Sequence, residues 1–263
     1  MTIYVLWAFI ATLGTWALTA LGAASVMFFK SPRQCVLNTM LGFASGVMIA
    51  ASFWSLLQPA IEMAEKNNTL PSYIIVTLGF LSGAIFICIS DKVVSRVVFK
   101  EKSVKTSKTC RIILLITSIT LHNIPEGLAV GVAFGALKNN NNLMLFMGAV
   151  SIAIGIGLQN FPEGAAVSLP LRREGYSCKK SFFYGQLSAT VEPIAAIIGA
   201  LLVTIVEKIL PFALSFAAGS MIFVAVHELI PECQQNKREQ PYSATMGIVS
   251  GFLTMMFLDV MLG

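Results

Sequence analysis

Eight stretches of this chain are long, apolar and almost free of charge: residues 3–29, 36–60, 72–98, 112–136, 144–170, 181–206, 211–232 and 243–263. A helix needs about 20 mostly apolar residues to cross a bilayer, because its backbone polar groups must be bonded within the segment. Each stretch reaches that length. Their apolar residues come in runs, not in the narrow stripes or strand alternations of a soluble core. Charged residues make up 12% of the chain, about half the roughly 25% usual in soluble domains. The expectation is an all-α polytopic membrane protein, one transmembrane domain over 1–263 with eight spans. The first span is too long for a signal-peptide core and no basic segment precedes it, so it is expected to remain as a helix of the mature protein.

The net charge of +5 would suit a polyanion, but its distribution is a topology signal. Alternate connections carry 15 of the 18 Lys and Arg residues, including Lys30 and Arg33, seven from Lys92 to Arg111, Arg172 with Arg173, and Lys237 with Arg238. Only Lys66, Lys138 and Lys208 fall on the other side. Basic loops are retained in the cytoplasm. Both termini are therefore expected outside a cell (plasma) membrane, with no nucleic-acid partner. The polar connection 99–111 (KEKSVKTSKTCRI) reads as a cytoplasmic loop facing lipid headgroups, and NNNN at 139–142 as an outward turn. Cys35, Cys110, Cys178 and Cys233 fall near the cytoplasmic face, where thiols stay reduced, and Cys88 lies in span three. No CxxC or Cys/His spacing suggests a disulfide framework or zinc finger.

Inside two of the spans stands a repeated phrase: HNIPEGLAV at 122–130 and QNFPEGAAV at 159–167, identical at six of nine positions. Each copy sets a nitrogen or amide donor, His122 or Gln159, four residues before a carboxylate, Glu126 or Glu163. On a helix that spacing stacks both side chains on one face. Successive spans run in opposite directions, so the copies are antiparallel and form an inverted repeat about an axis in the membrane plane. Counting rise per residue puts His122 near mid-membrane, with Glu192 of the sixth span at a similar depth. Pro125 and Pro162 each remove a helix hydrogen bond and are expected to bend their helices. Gly127 and Gly164 leave room for close approach of neighbouring helices.

His122, Asn123, Glu126, Gln159, Asn160, Glu163 and Glu192 are thus expected to converge. No Lys or Arg lies mid-span to neutralise Glu126, Glu163 or Glu192. Uncompensated carboxylates in hydrocarbon must be protonated or bind a cation. Imidazole mixed with carboxylate and amide oxygens suits borderline divalent ions such as Zn²⁺ and Fe²⁺. Ca²⁺ or Mg²⁺ would more naturally take oxygen alone.

With its eight spans, outward termini, basic loop between spans three and four and HNIPEG phrase, the chain resembles the ZIP (Zrt/Irt-like) divalent-metal transporters, in particular their bacterial GufA-like branch. The resemblance implies a secondary importer of Zn²⁺, with Fe²⁺, Mn²⁺ or Cd²⁺ as further substrates. It also implies a ZIP-type bundle holding a binuclear centre between spans four, five and six, and an elevator-type movement of one helix bundle against another. The first metal position would use His122, Glu126, Gln159 and Glu163, with Met48 as an additional soft ligand. The second would use Asn123, Glu126, Asn160, Glu163 and Glu192, Glu126 and Glu163 bridging. Ser55 and Asp259 would line the entrance, and Asp91, Ser118, His227 and Glu228 the exit. Relatives suggest a homodimer. Many have His where this chain has Gln159, and close ones can have Asp where it has Asn160. The second ion is accordingly expected to be the weaker.

Two other classes stand beside this one. An intramembrane metalloenzyme would need several histidines or an HExxH set, whereas only His122 and His227 exist and HELIPE at 227–232 lacks the second histidine. A metal-gated channel would share the site and differ in showing ohmic flux. No GxxxxGK[ST] phosphate loop is present, so nucleotide drive is unsupported. The chain is expected not to be an enzyme and to hold no organic cofactor, the metal being its substrate.

Overall fold

The computed structural model describes residues 3–28, 34–66, 71–99, 108–138, 143–173, 175–205, 209–234 and 242–262. Within these, the side chains at 94–95, 97–99, 108–119, 121–122, 173, 204–205 and 262 lie outside the description. No strand occurs among the described residues. The helices are α1 (Ile3–Ala24), α2 (Gln34–Lys66), α3 (Ser72–Phe99), α4 (Lys108–Ala136), α5 (Leu143–Arg173), α6 (Cys178–Val203), α7 (Leu210–Cys233) and α8 (Ser243–Leu262). Seven of them are long and apolar enough to cross a membrane on their described residues, and α4 matches them with 29 residues. The protein is a polytopic all-α membrane protein.

The surface is apolar and the interior rich in small and hydroxylated residues, the reverse of a soluble bundle. Ile10, Leu81, Ile194, Leu253 and Phe257 are exposed, while Thr12, Thr15, Thr19, Ser45, Ser52 and Ser220 are buried. Lipid tails give helices no hydrophobic reason to associate, so packing rests on close backbone approach at small residues. Thr12 and Thr19 satisfy their hydroxyls on the carbonyls of Ala8 and Thr15, one turn back.

Glycines divide the bundle into two bodies. Gly127 and Gly131 of α4 press against the backbone of α6 at Glu192 and Ala196, and Gly164 of α5 against α1 at Thr19. Gly83 of α3 meets the backbone of α7 at Phe216, and Gly251 of α8 that of α2 at Phe43. All these contacts fall within the set α1, α4, α5, α6 or the set α2, α3, α7, α8. Across the boundary, Gly155 of α5 faces only the flexible side chain of Met255 on α8.

The packing is symmetric under exchange of α1 with α6, α2 with α7, α3 with α8 and α4 with α5. Thus α2 packs on α8 as α7 packs on α3, and α4 on α6 as α5 on α1. Helices five apart in an alternating bundle run oppositely, so the repeat is inverted and extends beyond the two PEG phrases. The backbone irregularities obey it too: α2 widens into a π-helix at Ser52–Leu57 and α7 at Ala225–Leu229.

Helices α4 and α5 continue as α-helix through Pro125, Pro162 and Pro170. The interruption is in α6, where a 3₁₀ turn at Ser188–Thr190 precedes the segment starting at Val191. Pro193 explains its place: its ring would clash with the carbonyl four residues back, in that turn. Glu192 therefore stands in the first turn of a new helical segment.

Candidate metal centre

The two PEG phrases and the break in α6 meet inside the α1, α4, α5, α6 body. Asn123, Glu126, Gln159, Asn160, Glu163 and Glu192 are all buried, none more than 4% exposed. Gln159 Nε2 donates to Glu126 Oε1 at 2.5 Å, and Asn160 Nδ2 donates to Glu192 Oε1 at 2.8 Å. Glu126 is within electrostatic reach of both Glu163 and Glu192. The close approaches at Gly127 and Gly164 bring the helices together there, and any larger residue would hold them apart.

Gln159 and Asn160 each spend an N–H on a carboxylate and leave the amide oxygen free of a hydrogen bond among the described residues. Asn123 Oδ1, Glu126 Oε2, Gln159 Oε1 and Asn160 Oδ1 are buried and have no hydrogen-bond partner among the described residues. A buried oxygen without a donor costs about 1–3 kcal/mol, so these four call for a proton or a cation. Among the described residues no three His, Cys, Asp or Glu side chains close to metal-holding geometry by themselves. The described donors are carboxylates completed by amide oxygens. His122 lies in α4 one turn before Glu126, but its side chain is outside the description.

Met48 is fully buried on α2, a helix of the other body that packs against α5. Ser55 and Asp259 meet as a pair: Ser55 Oγ donates to Asp259 Oδ1 at 2.7 Å, and Ser151 Oγ of α5 donates to the same oxygen at 3.0 Å. They border a cavity of about 750 Å³ that Gln58, Glu62, Lys66 and Met144 also line, between the ends of α2, α5 and α8 that the basic loops are expected to place outward. At the opposite ends, His227 Nε2 lies 4.0 Å from Asp91 Oδ2, and the Phe223 ring packs on the imidazole with centroids 5.1 Å apart. Glu228 is half-buried beside it in the π-helix of α7. The side chain of Ser118 lies outside the described residues.

Sequence reasoning missed two contributors. Thr15 of α1 donates its hydroxyl to Glu192 Oε2. Ser151 joins the two bodies through Asp259. Neither carries a sequence signal of its own, since Ser and Thr are common on the small-residue faces of membrane helices.

Comparison with known proteins agrees with this architecture. The family described as ZIP Zinc transporter matches residues 3–111 and 100–259, two pieces that meet at the polar connection after α3. The chain is 40% identical to Zinc transporter ZIP11 of Xenopus tropicalis, over 98% of both chains. It is 34% identical to Zinc transporter GufA of Myxococcus xanthus, over 97% of this chain and 98% of that one. With Zinc transporter ZIPB of Bordetella bronchiseptica the identity is 32%, over 94% of this chain and 78% of that one. This is a multi-pass membrane protein of divalent-metal transport, zinc foremost, and not an enzyme. The chain belongs to the ZIP zinc transporter family.

Proposed function

We propose that the protein is a secondary importer of divalent transition metals, Zn²⁺ foremost, into the cytoplasm across the cell membrane. The cation binds within the α1, α4, α5, α6 body, on Glu126, Glu163 and Glu192 with the amide oxygens of Asn123, Gln159 and Asn160. His122 completes a first position with Glu126, Gln159 and Glu163, and Met48 approaches from α2. Asn123, Asn160 and Glu192 complete a second position that shares Glu126 and Glu163. The single observation that carries the reading is the set of four buried oxygens with no donor among the described residues, gathered around three carboxylates with no mid-span cation.

The division into two bodies supports an elevator-type movement. Backbone contacts at glycine hold each body together, whereas Gly155 meets only a side chain across the boundary. A body carrying the cation can slide past its partner without breaking a glycine seam. The outer cavity bordered by Glu62 and Asp259 favours capture of cations from outside. With three glutamates, one divalent ion leaves a net −1 and two leave +1. The second ion is the weaker of the two.

The test is Zn²⁺ uptake into proteoliposomes by wild type, Glu126→Ala and His122→Ala. Saturable uptake that falls to background in Glu126→Ala and sharply in His122→Ala is expected. Unchanged uptake in both variants removes the site, and flux that never saturates removes the carrier mechanism.

A further inference from the structure

Helix α1 bears no carboxylate and no imidazole, yet one of its side chains reaches the centre of the site. Thr15 is 2% exposed, and its Oγ1 donates to Glu192 Oε2 across the α1–α6 contact. Its backbone carbonyl accepts from Asn160 Nδ2 at 3.5 Å, and the same amide nitrogen donates to Glu192 Oε1. Glu192 is thus held at both oxygens, by Thr15 on one and Asn160 on the other. The hydroxyl also lies 3.0 Å from the Thr12 carbonyl, but Glu192 Oε2 is the nearer acceptor. The threonine methyl lies beside Gly157 of α5, with Cγ2 3.9 Å from where a Cβ at that position would stand.

Glu192 needs such support. It lies in the first turn after a 3₁₀ break, fully buried, so its carboxylate must be met by protein groups and not by water. Trp16, the next residue of α1, ties the preceding part of the same helix by donating Nε1 to the Gln186 carbonyl at 3.2 Å and to Gln186 Oε1 at 3.1 Å. Helix α1 therefore grips α6 on both sides of its break.

We propose that Thr15 is a positioning residue for the second metal position, aiming the Glu192 carboxylate through its hydroxyl. The proposal rests on the reading of Glu192 as a ligand. Carboxylates that bind a metal through one lone pair accept a hydrogen bond on another, and loss of such a partner typically costs 10–100-fold in affinity. Thr15 would set the affinity of the second ion and leave the first, built on His122 and Gln159, nearly untouched.

The experiment is a Co²⁺ titration of the purified full-length protein followed by ligand-field absorption, with Zn²⁺ calorimetry beside it. The variants are Thr15→Val, Thr15→Ala, Thr15→Ser and Glu192→Gln. Val keeps the methyl contact and removes the hydroxyl; Ser does the reverse. The expected result is an about tenfold weaker second step in Thr15→Val and Thr15→Ala, a first step within about twofold of wild type, and recovery of the second step in Thr15→Ser. An unmoved second step in Val and Ala overturns the proposal. So does a second step as weak in Ser as in Ala, which would assign the effect to packing. Should Val not fold, the Ser and Ala pair decides the question alone. An unmoved second step in Glu192→Gln, or a single step in wild type, overturns the reading of Glu192 itself and the proposal with it.

Discussion

Gln159 donates its amide N–H to Glu126 Oε1 and keeps its own Oε1 buried and without a hydrogen-bond partner among the described residues. The amide thereby occupies half of a carboxylate and presents a neutral oxygen in return. A hard oxygen donor gives less advantage to Zn²⁺ over Mn²⁺ than a nitrogen does. Gln159→His is expected to raise the preference for Zn²⁺ over Mn²⁺ about tenfold, about 1.4 kcal/mol. Competition of Mn²⁺ against radiolabelled Zn²⁺ uptake measures it. An unchanged or reversed preference would separate Gln159 from the metal.

The glycine seams predict unequal tolerance to a single methyl group. A Cβ at Gly131 would run into the Ala196 backbone, which cannot move without separating α4 from α6. At Gly155 it would meet the Met255 thioether, which has other rotamers. Gly131→Ala is expected to destabilise by about 1–3 kcal/mol and Gly155→Ala by well under about 1 kcal/mol. Thermal unfolding in one detergent compares them. Equal losses would mean that the boundary between the bodies is as tightly seamed as their interiors.

Sequence and structure diverge according to how far apart the cooperating residues lie. The PEG phrases were legible because each packs ligand, carboxylate, proline and glycine into one helical turn, and their identity exposes the repeat. The rest of the repeat is written more faintly. SGAIFICISD at 82–91 and SGFLTMMFLD at 250–259 share only Ser-Gly and an Asp eight residues beyond the Gly, and FASGVM at 43–48 matches FAAGSM at 216–221. Apolar residues facing lipid exchange freely, so only positions fixed by close approach keep their identity. Thr15 and Glu192 are 177 residues apart, and no local pattern joins them. The π-helices were equally hidden, because a one-residue widening depends on tertiary packing.

Movement of one body past the other predicts that a covalent tie across their boundary stops transport. Gly155 and Met255 supply the tie, since a Cβ at 155 would sit against the Met255 side chain. In a background stripped of the five native cysteines, Gly155→Cys with Met255→Cys is expected to lose uptake when joined by a bifunctional thiol reagent and regain it on reduction. The control is Gly157→Cys with Leu18→Cys, a contact inside one body. Uptake that survives the 155–255 tie would rule out sliding at this boundary. Loss in the control alone would place the motion within a body.

Asp259 and Asp91 occupy matching places in the repeat and opposite ends of the bundle. Asp259 accepts from Ser55 and Ser151 at the cavity between α2, α5 and α8, and Asp91 faces His227 at the opposite ends of α3 and α7. Ser55 and His227 both sit in the π-helices, which turn them toward the aspartate of a neighbouring helix. Their positions assign different steps. An anionic carboxylate at the mouth raises local cation concentration, so Asp259→Asn is expected to raise KM severalfold with little change in kcat. An acceptor beyond the centre acts after binding, so Asp91→Asn is expected to lower kcat severalfold and leave KM nearly unchanged. Initial rates of Zn²⁺ uptake against concentration, in vesicles selected for one orientation, separate the two parameters. If Asp91→Asn changed KM and Asp259→Asn changed kcat, entrance and exit would have to be exchanged, and the direction of import with them.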